Sequence, residues 1–218
     1  MEKKKASYLC QPDSQKGCSI CCGLFNLQDI SKNNLSQFLN SQDKAKFFSL
    51  GARDEKAHIC PFQSFIRINI PGCSAFPSEE KKNLRDLSLF GAKICSDYFC
   101  PAHKILGEPY KDFLINNVSD WYNYSLAIVD PESFIWLINK FYFLERKDLN
   151  KKKISEALDF YFARRAVFLN QVPGVIFYYS ISEYNLGKGN ISLLSGKNKS
   201  ILAEKEEISA RIEFILES

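Results

Sequence analysis

All eight cysteines of this 218-residue chain lie between Cys10 and Cys100, and the 118 residues that follow contain none. Packing alone would scatter such small side chains along a fold, so thiols crowded into one half point to a shared task. The densest group is Cys18, Cys21 and Cys22, in the run Gly17-Cys18-Ser19-Ile20-Cys21-Cys22-Gly23. On an α-helix all three sulfurs would share one face. In a knuckle-like turn, Cys18 and Cys21 would form a C-x2-C chelate and Cys22 would point elsewhere. Gly17 and Gly23 bracket the group and let the backbone wind tightly on either reading.

The remaining cysteines sit at spacings that allow convergence without dictating it. Cys60 and Cys100 are each followed by proline, and Cys73, Cys95 and Cys10 complete the set. Cys-Pro steps commonly end ligand runs in ferredoxins, which tilts the balance towards an iron–sulfur cluster. Four thiolates suit zinc equally well, so the donor set leaves both open. Eight thiols could fill two four-ligand sites, or one site with spare cysteines. Cys100 and His103 form a C-x2-H step, and His58 lies two residues before Cys60. Both histidines read more readily as surface or hydrogen-bonded residues than as ligands.

Composition bounds the rest. A chain with 45% hydrophobic and 14% aromatic residues is globular rather than disordered. The formal charge of +4 would fall to zero if all eight thiols became thiolates around two divalent ions. A nucleic-acid partner is therefore not expected, and the runs Lys151-Lys152-Lys153 and Lys197-Asn198-Lys199 read as solvated faces. Residues 1–6 carry three lysines with no apolar run behind them, so a secretory leader is not expected. The most apolar stretch, residues 133–144, is too short for a membrane helix and holds Asn139 and Lys140. A cytoplasmic location follows as the default, where reduced thiols favour metal or redox chemistry; the even cysteine count keeps disulfides as the alternative.

The expected architecture is α-rich α+β: a cysteine-rich metal-binding module over residues 1–110, then a mostly helical domain over 111–218. Ser31 caps a helix carrying Leu35, Phe38 and Leu39, and residues 41–50 add a second short one. Residues 24–30 read as a strand or turn. Residues 65–70 read as a strand, and residues 78–90 as a helix stopped by Gly91. Cys95 and Cys100 are expected on a loop after it. Pro131 opens a helix to about residue 147, apolar all round and so central or at an interface. Residues 151–170 form an amphipathic helix with Ile154, Leu158, Tyr161, Phe162, Arg165 and Phe168 on one face. Residues 175–181 suit a strand, Gly187, Gly189 and Gly196 turns, and residues 201–216 a closing helix.

The first half resembles the zinc- or iron-chelating family marked by a CxxCxxCC motif, whose members are often labelled Fe–S oxidoreductases. The resemblance rests on Cys18, Cys21 and Cys22, on the apolar stretch and helix behind them, on Cys60-Pro61-Phe62 and on Cys73-Ser74-Ala75-Phe76-Pro77. It covers about residues 10–105. The gap from Cys10 to Cys18 is longer than the family's, its R-P-x-x-C-R step is missing, and Cys95 lies well downstream. The likeness therefore carries the Cys18 group further than Cys10 and Cys95. It implies a metal-chelating module, and through the family's flagellin lysine-N-methylases it adds methyl transfer as a second function.

Three functions follow as expectations. The first is a metal-binding protein holding zinc or an iron–sulfur cluster for redox or electron transfer, with the helical half docking a protein partner. Its ligands would be Cys18, Cys21, Cys22, Cys60, Cys73 and Cys100, with Cys95 and Cys10 behind them. The second is a lysine-N-methylase-like enzyme, although no Gly-rich cofactor loop follows a strand; Gly187-Lys188-Gly189 is the nearest and reads as a solvated turn. The third is an adaptor with structural zinc. Whether the chain is an enzyme stays open: two histidines and no paired carboxylates leave little general acid–base chemistry.

Overall fold

The computed structural model describes residues 9–10, 12, 15–48, 59–75, 82–88, 91, 93, 95, 100, 102–143, 151–171, 178–180, 185–187 and 199–217. His58, the Phe76-Pro77 step, Gly189, Gly196, Lys197, Asn198 and residues 78–81, 89–90, 144–147, 175–177 and 181 lie outside them. Within them the chain is α-rich, with two small antiparallel hairpins.

Ser31 accepts the Asn34 amide at 3.3 Å and opens α1, Lys32–Asn40, as its place in the sequence predicts. Leu35, Phe38 and Leu39 are buried on its inner face. The next short helix, α2, spans Ala45–Phe48, and its Phe47 meets Phe38 edge to face at 5.4 Å. Two small helices, α3 (Ala102–Ile105) and α4 (Glu108–Asn117), lead into α5, Trp121–Val129. Asp120 caps α5 by accepting the Tyr122 and Asn123 amides at 3.1 Å, and it pairs with Lys32 of α1 at 2.5 Å. Pro131 begins α6, Pro131–Phe143, and Asp130 caps it by accepting the Ser133 amide at 3.3 Å.

The helix buried on nearly every side is α5: Trp121, Tyr122 and Tyr124 through Val129 are all buried. For α6 the expectation is a central or interface place: Phe134, Leu137, Ile138 and Phe141 are buried, while Ile135 and Trp136 are only partly covered. The last two helices are α7, Lys151–Gln171, and α8, Lys199–Glu217, which pack on each other. The Lys205 ammonium of α8 lies 5.8 Å from the centre of the Trp136 ring, so a charged side chain covers part of α6's second face.

Leu158, Tyr161, Phe162 and Arg165 of α7 are buried, with Ile154 and Phe168 partly so, on the face the sequence marks out. Ile208, Ile212 and Leu216 face them from α8 at four-residue spacing. Arg165 sits inside this seam between two carboxylates. It donates to Glu204 of α8 at 2.7 Å and to Asp130, the cap of α6. One guanidinium thus ties three helices together. Burial pushes the Glu204 carboxyl up, and the Arg165 charge opposes that push.

The first hairpin pairs β1, Gln63–Arg67, with β2, Ile70–Cys73. The single strand expected over residues 65–70 is therefore two strands and a turn. Asn69 takes a left-handed backbone (φ 56°), a conformation its short amide side chain tolerates, and the chain reverses there. The helix expected over residues 78–90 is also corrected. Its described part holds only a 3-10 turn, Arg85–Leu87. Asn83 competes for the helix donors, its side-chain oxygen accepting both the amide and Nε of Arg85, while the Leu84 amide donates to the Ala75 carbonyl at 3.1 Å. Cys95 is helical rather than in a loop. Of the strand or turn expected over residues 24–30, the turn is found: the segment opens with a 3-10 turn, Leu24–Asn26, followed by a single bridge residue, Leu27. The second hairpin pairs β3, Tyr178–Ser180, with β4, Asn185–Gly187.

One hydrophobic cluster runs from Leu9 and Ile20 through α1, α5, α6 and α7 to Leu216, with residues on both sides of position 110. No helix among the described residues is long and apolar enough to cross a membrane.

Replacing Arg165 with methionine leaves Asp130 and Glu204 buried without their cation. Urea denaturation of Arg165→Met should show a loss of about 3–5 kcal/mol. A loss below about 1 kcal/mol would mean that water reaches the two carboxylates in the folded chain.

Candidate metal centre

The Cys18 group is built on two successive 3-10 turns, Ile20–Cys22 and Leu24–Asn26, joined at Gly23 with φ 84°. A left-handed residue at that joint calls for glycine. The group is thus neither the α-helical face nor a simple knuckle. Cys18 precedes the first turn, and its sulfur accepts the Ile20 amide at 3.4 Å. An amide proton directed at sulfur favours the thiolate form. Cys21 and Cys22 lie within the turn, with sulfurs 3.9 Å apart.

The first hairpin is docked directly on this turn. The Cys60 amide donates to the Cys22 carbonyl at 2.8 Å. The buried Gln63 amide donates to the same carbonyl at 2.8 Å and to the Cys60 carbonyl at 3.0 Å. Gln63 is also the register partner of Cys73 across the strands. On the outer side of β2, a Cβ at Gly17 would stand 2.3 Å from the Pro71 carbonyl oxygen, so only glycine permits that approach. The Ser19 hydroxyl donates to the Gly72 carbonyl at 3.3 Å.

The other cysteines reach the same region from separate elements. The Cys18 amide donates to the Cys10 carbonyl at 3.1 Å, closing the loop between them. Beside Cys10, the Leu9 carbonyl accepts the buried Tyr124 hydroxyl at 2.9 Å, so α5 anchors this segment. Cys100 is buried at the start of α3, where the His103 amide donates to its carbonyl at 2.9 Å. The Cys10 sulfur lies 3.9 Å from His103 Nε2. Cys95 is exposed, 3.6 Å from the Ser88 hydroxyl. None of the eight cysteines, all of them described, is joined in a disulfide.

Electrostatics reveal how the sulfurs are grouped. The Cys22 thiol is hydrogen-bonded to both Cys21 and Cys60. That bond pulls Cys21 down and pushes Cys22 up. Burial pushes Cys18 well up and raises Cys10 and Cys100 to about 12. Repulsion from a charged Cys21 adds to the rise at Cys10, Cys18, Cys22, Cys95 and Cys100. Repulsion from Cys60 in turn opposes the downward pull on Cys21. Cys73 lies across the hairpin from Gln63. Among the described residues, no three His, Cys, Asp or Glu side chains meet as a ready-made ligand set for one ion. Burial lowers His103 and raises Cys10, so both sides of this contact are pushed towards their neutral forms.

Two supporting residues escape a search for chemistry-bearing side chains: Gln63 and Tyr124. Gln63 carries no motif, and only the pairing of β1 with β2 shows which carbonyls its amide meets. Gly17 is marked in the sequence by its place beside the cysteine group, and the structure adds the close approach of Pro71. Compared with known proteins, the chain matches no family model, and no curated protein or solved structure is detectably similar to it.

Gln63→Leu keeps the volume at this junction but removes both donors. Thermal and urea melts should show a loss of about 1–3 kcal/mol, with faster thiol labelling at Cys60. Unchanged stability and labelling would show that the Cys60 amide alone holds the junction.

Proposed function

We propose that this chain is a metal-binding protein that holds zinc or an iron–sulfur cluster through its clustered cysteines. Cys18, Cys21, Cys22, Cys60, Cys73 and Cys100 are the ligands, with Cys95 and Cys10 at the rim. The observation that carries this reading is the junction of two cysteine segments: the Cys21 and Cys22 sulfurs lie 3.9 Å apart, and the Cys60 amide donates to the Cys22 carbonyl at 2.8 Å. Thiolates gathered this closely repel one another, and a bound cation turns that repulsion into attraction. The donor chemistry fits both candidates, because soft thiolates select zinc and iron–sulfur clusters alike. The two Cys-Pro steps keep the balance tilted towards the cluster, which would carry electrons when bound.

The residues around the sulfurs have defined work in this reading. Gln63 and the Cys60 amide hold the turn against the hairpin, and the Ile20 amide donates to the Cys18 sulfur. Hydrogen bonds of that kind orient ligands and tune the centre they hold. The module over residues 1–110 is chelating, in keeping with its resemblance to the CxxCxxCC family. The helical part over residues 111–218 docks a protein partner, a role favoured by the exposed Val167 of α7 and Phe214 of α8. A reducing, cytoplasmic setting suits eight cysteines with no disulfide among them.

Anaerobic purification followed by elemental analysis and a visible spectrum tests the proposal. Iron with sulfide, or zinc, should accompany the chain, and Cys21→Ser and Cys60→Ser should lose it. Stripping the metal should unfold the cysteine segment, since structural zinc contributes around 10–16 kcal/mol in small zinc domains. Protein free of iron and zinc, whose circular dichroism and melting ignore a chelator, would refute the reading.

A further inference from the structure

We infer that Cys10, Cys18, Cys100 and His103 form a second metal site, separate from the Cys21–Cys22–Cys60 group, which takes a divalent ion of the zinc class. The inference rests on the metal-binding reading above and adds an imidazole ligand and a second ion to it. Its starting point is the contact between the Cys10 sulfur and His103 Nε2, 3.9 Å apart across 93 residues of sequence. Two ligand atoms on one tetrahedral zinc, with a Zn–S bond of about 2.3 Å and a Zn–N bond of about 2.0 Å, stand about 3.5 Å apart. The pair therefore closes on an ion with a movement of a few tenths of an ångström.

Each side of this contact brings a second thiol with it. His103 and Cys100 share one turn at the start of α3, held by the 2.9 Å bond from the His103 amide to the Cys100 carbonyl. Their C-x2-H spacing lets both side chains serve one ion. Cys10 and Cys18 share the loop closed by the 3.1 Å bond from the Cys18 amide to the Cys10 carbonyl. Cys10, Cys18 and Cys100 also lie within mutual electrostatic reach. Two short chelating loops thus meet through a sulfur and an imidazole nitrogen.

Among the described residues no three of these ligands yet meet, so an ion that binds the Cys10–His103 pair draws in Cys18 and Cys100 on segments that are already anchored. The buried Tyr124 hydroxyl holds the Leu9 carbonyl next to Cys10, and the Ile20 amide donates to the Cys18 sulfur. Ala102, between Cys100 and His103, is fully buried and seats α3 in the core. Cys10 is exposed while Cys100 is buried, so an ion here enters and leaves from the Cys10 side. Three thiolates and one imidazole form the Cys3His donor set of zinc, whereas iron–sulfur clusters take mainly thiolates. The division leaves Cys21, Cys22 and Cys60, with Cys73 or Cys95, as an all-thiolate quartet for the other centre.

The test compares full-length wild type, His103→Ala and His103→Cys, each purified anaerobically with zinc and then exchanged with cobalt(II). Wild type should carry two metal centres per chain, and His103→Ala should lose one of them. His103→Cys should retain both, and its cobalt spectrum should gain thiolate charge-transfer intensity as one nitrogen ligand becomes sulfur. If His103→Ala keeps the full metal content and an unchanged cobalt spectrum, the second site is refuted while the Cys21 centre stands. If His103→Cys loses the ion as His103→Ala does, His103 is not a ligand and the inference fails. Wild type that binds no metal overturns this inference and the metal-binding reading together.

Discussion

The cysteine segment depends on one junction, where the Cys22 carbonyl accepts both the Cys60 amide and the Gln63 side chain. Gln63 also reaches back to the Cys60 carbonyl, so a single buried amide holds a 3-10 turn and a hairpin in fixed relation. Buried backbone carbonyls must find donors, and these are supplied from a strand some forty residues away. Without this junction, Cys21 and Cys22 would have no reason to face Cys60. With it, the turn that holds the Cys21 and Cys22 sulfurs 3.9 Å apart is fixed against the segment carrying Cys60.

The helical half contributes a pillar rather than a separate layer. Two tyrosines of α5 reach out of the core to the cysteine segment, Tyr124 to the Leu9 carbonyl and Tyr122 to the Ile30 carbonyl at 2.8 Å. Trp121 meets Phe65 of the hairpin at 5.4 Å, and Tyr122 stacks with Phe25 at 6.1 Å. These aromatic side chains combine apolar area with a polar tip, which suits a seam that is mostly core yet crossed by backbone. On the far side, Arg165 binds the caps and carboxylates of α6 and α8 to α7. Both ends of the molecule are therefore held by buried polar groups whose partners come from distant parts of the chain.

Particular elements show where sequence reading succeeds and where it stops. Ser31 with Leu35, Phe38 and Leu39, Pro131 after Asp130, and the long α7 and α8 follow from local caps and periodic apolar residues. The break at Asn69 and the short turn at Arg85–Leu87 do not, because each is decided by a competitor for backbone hydrogen bonds. Asn83 and the Ala75 carbonyl take donors that a helix would need. The central role of α5 was hidden for another reason. Its Tyr and Trp residues look amphipathic in sequence, and only their partners bury them.

The sequence by itself determined the inventory and the local grammar of this protein: eight thiols confined to one half, three of them within five residues, and helices with readable starts. Those properties depend on neighbours a few positions apart, where side-chain chemistry and backbone geometry act directly. Only the tertiary structure decided which sulfur stands next to which, that Cys10 meets His103, that Cys60 docks on the Cys22 turn, and that an unremarked glutamine clamps that junction. Such contacts join residues up to 93 positions apart, and the docking of whole elements selects them. No spacing rule reaches that far, because the cost of closing a loop grows only slowly with its length and leaves many pairings open.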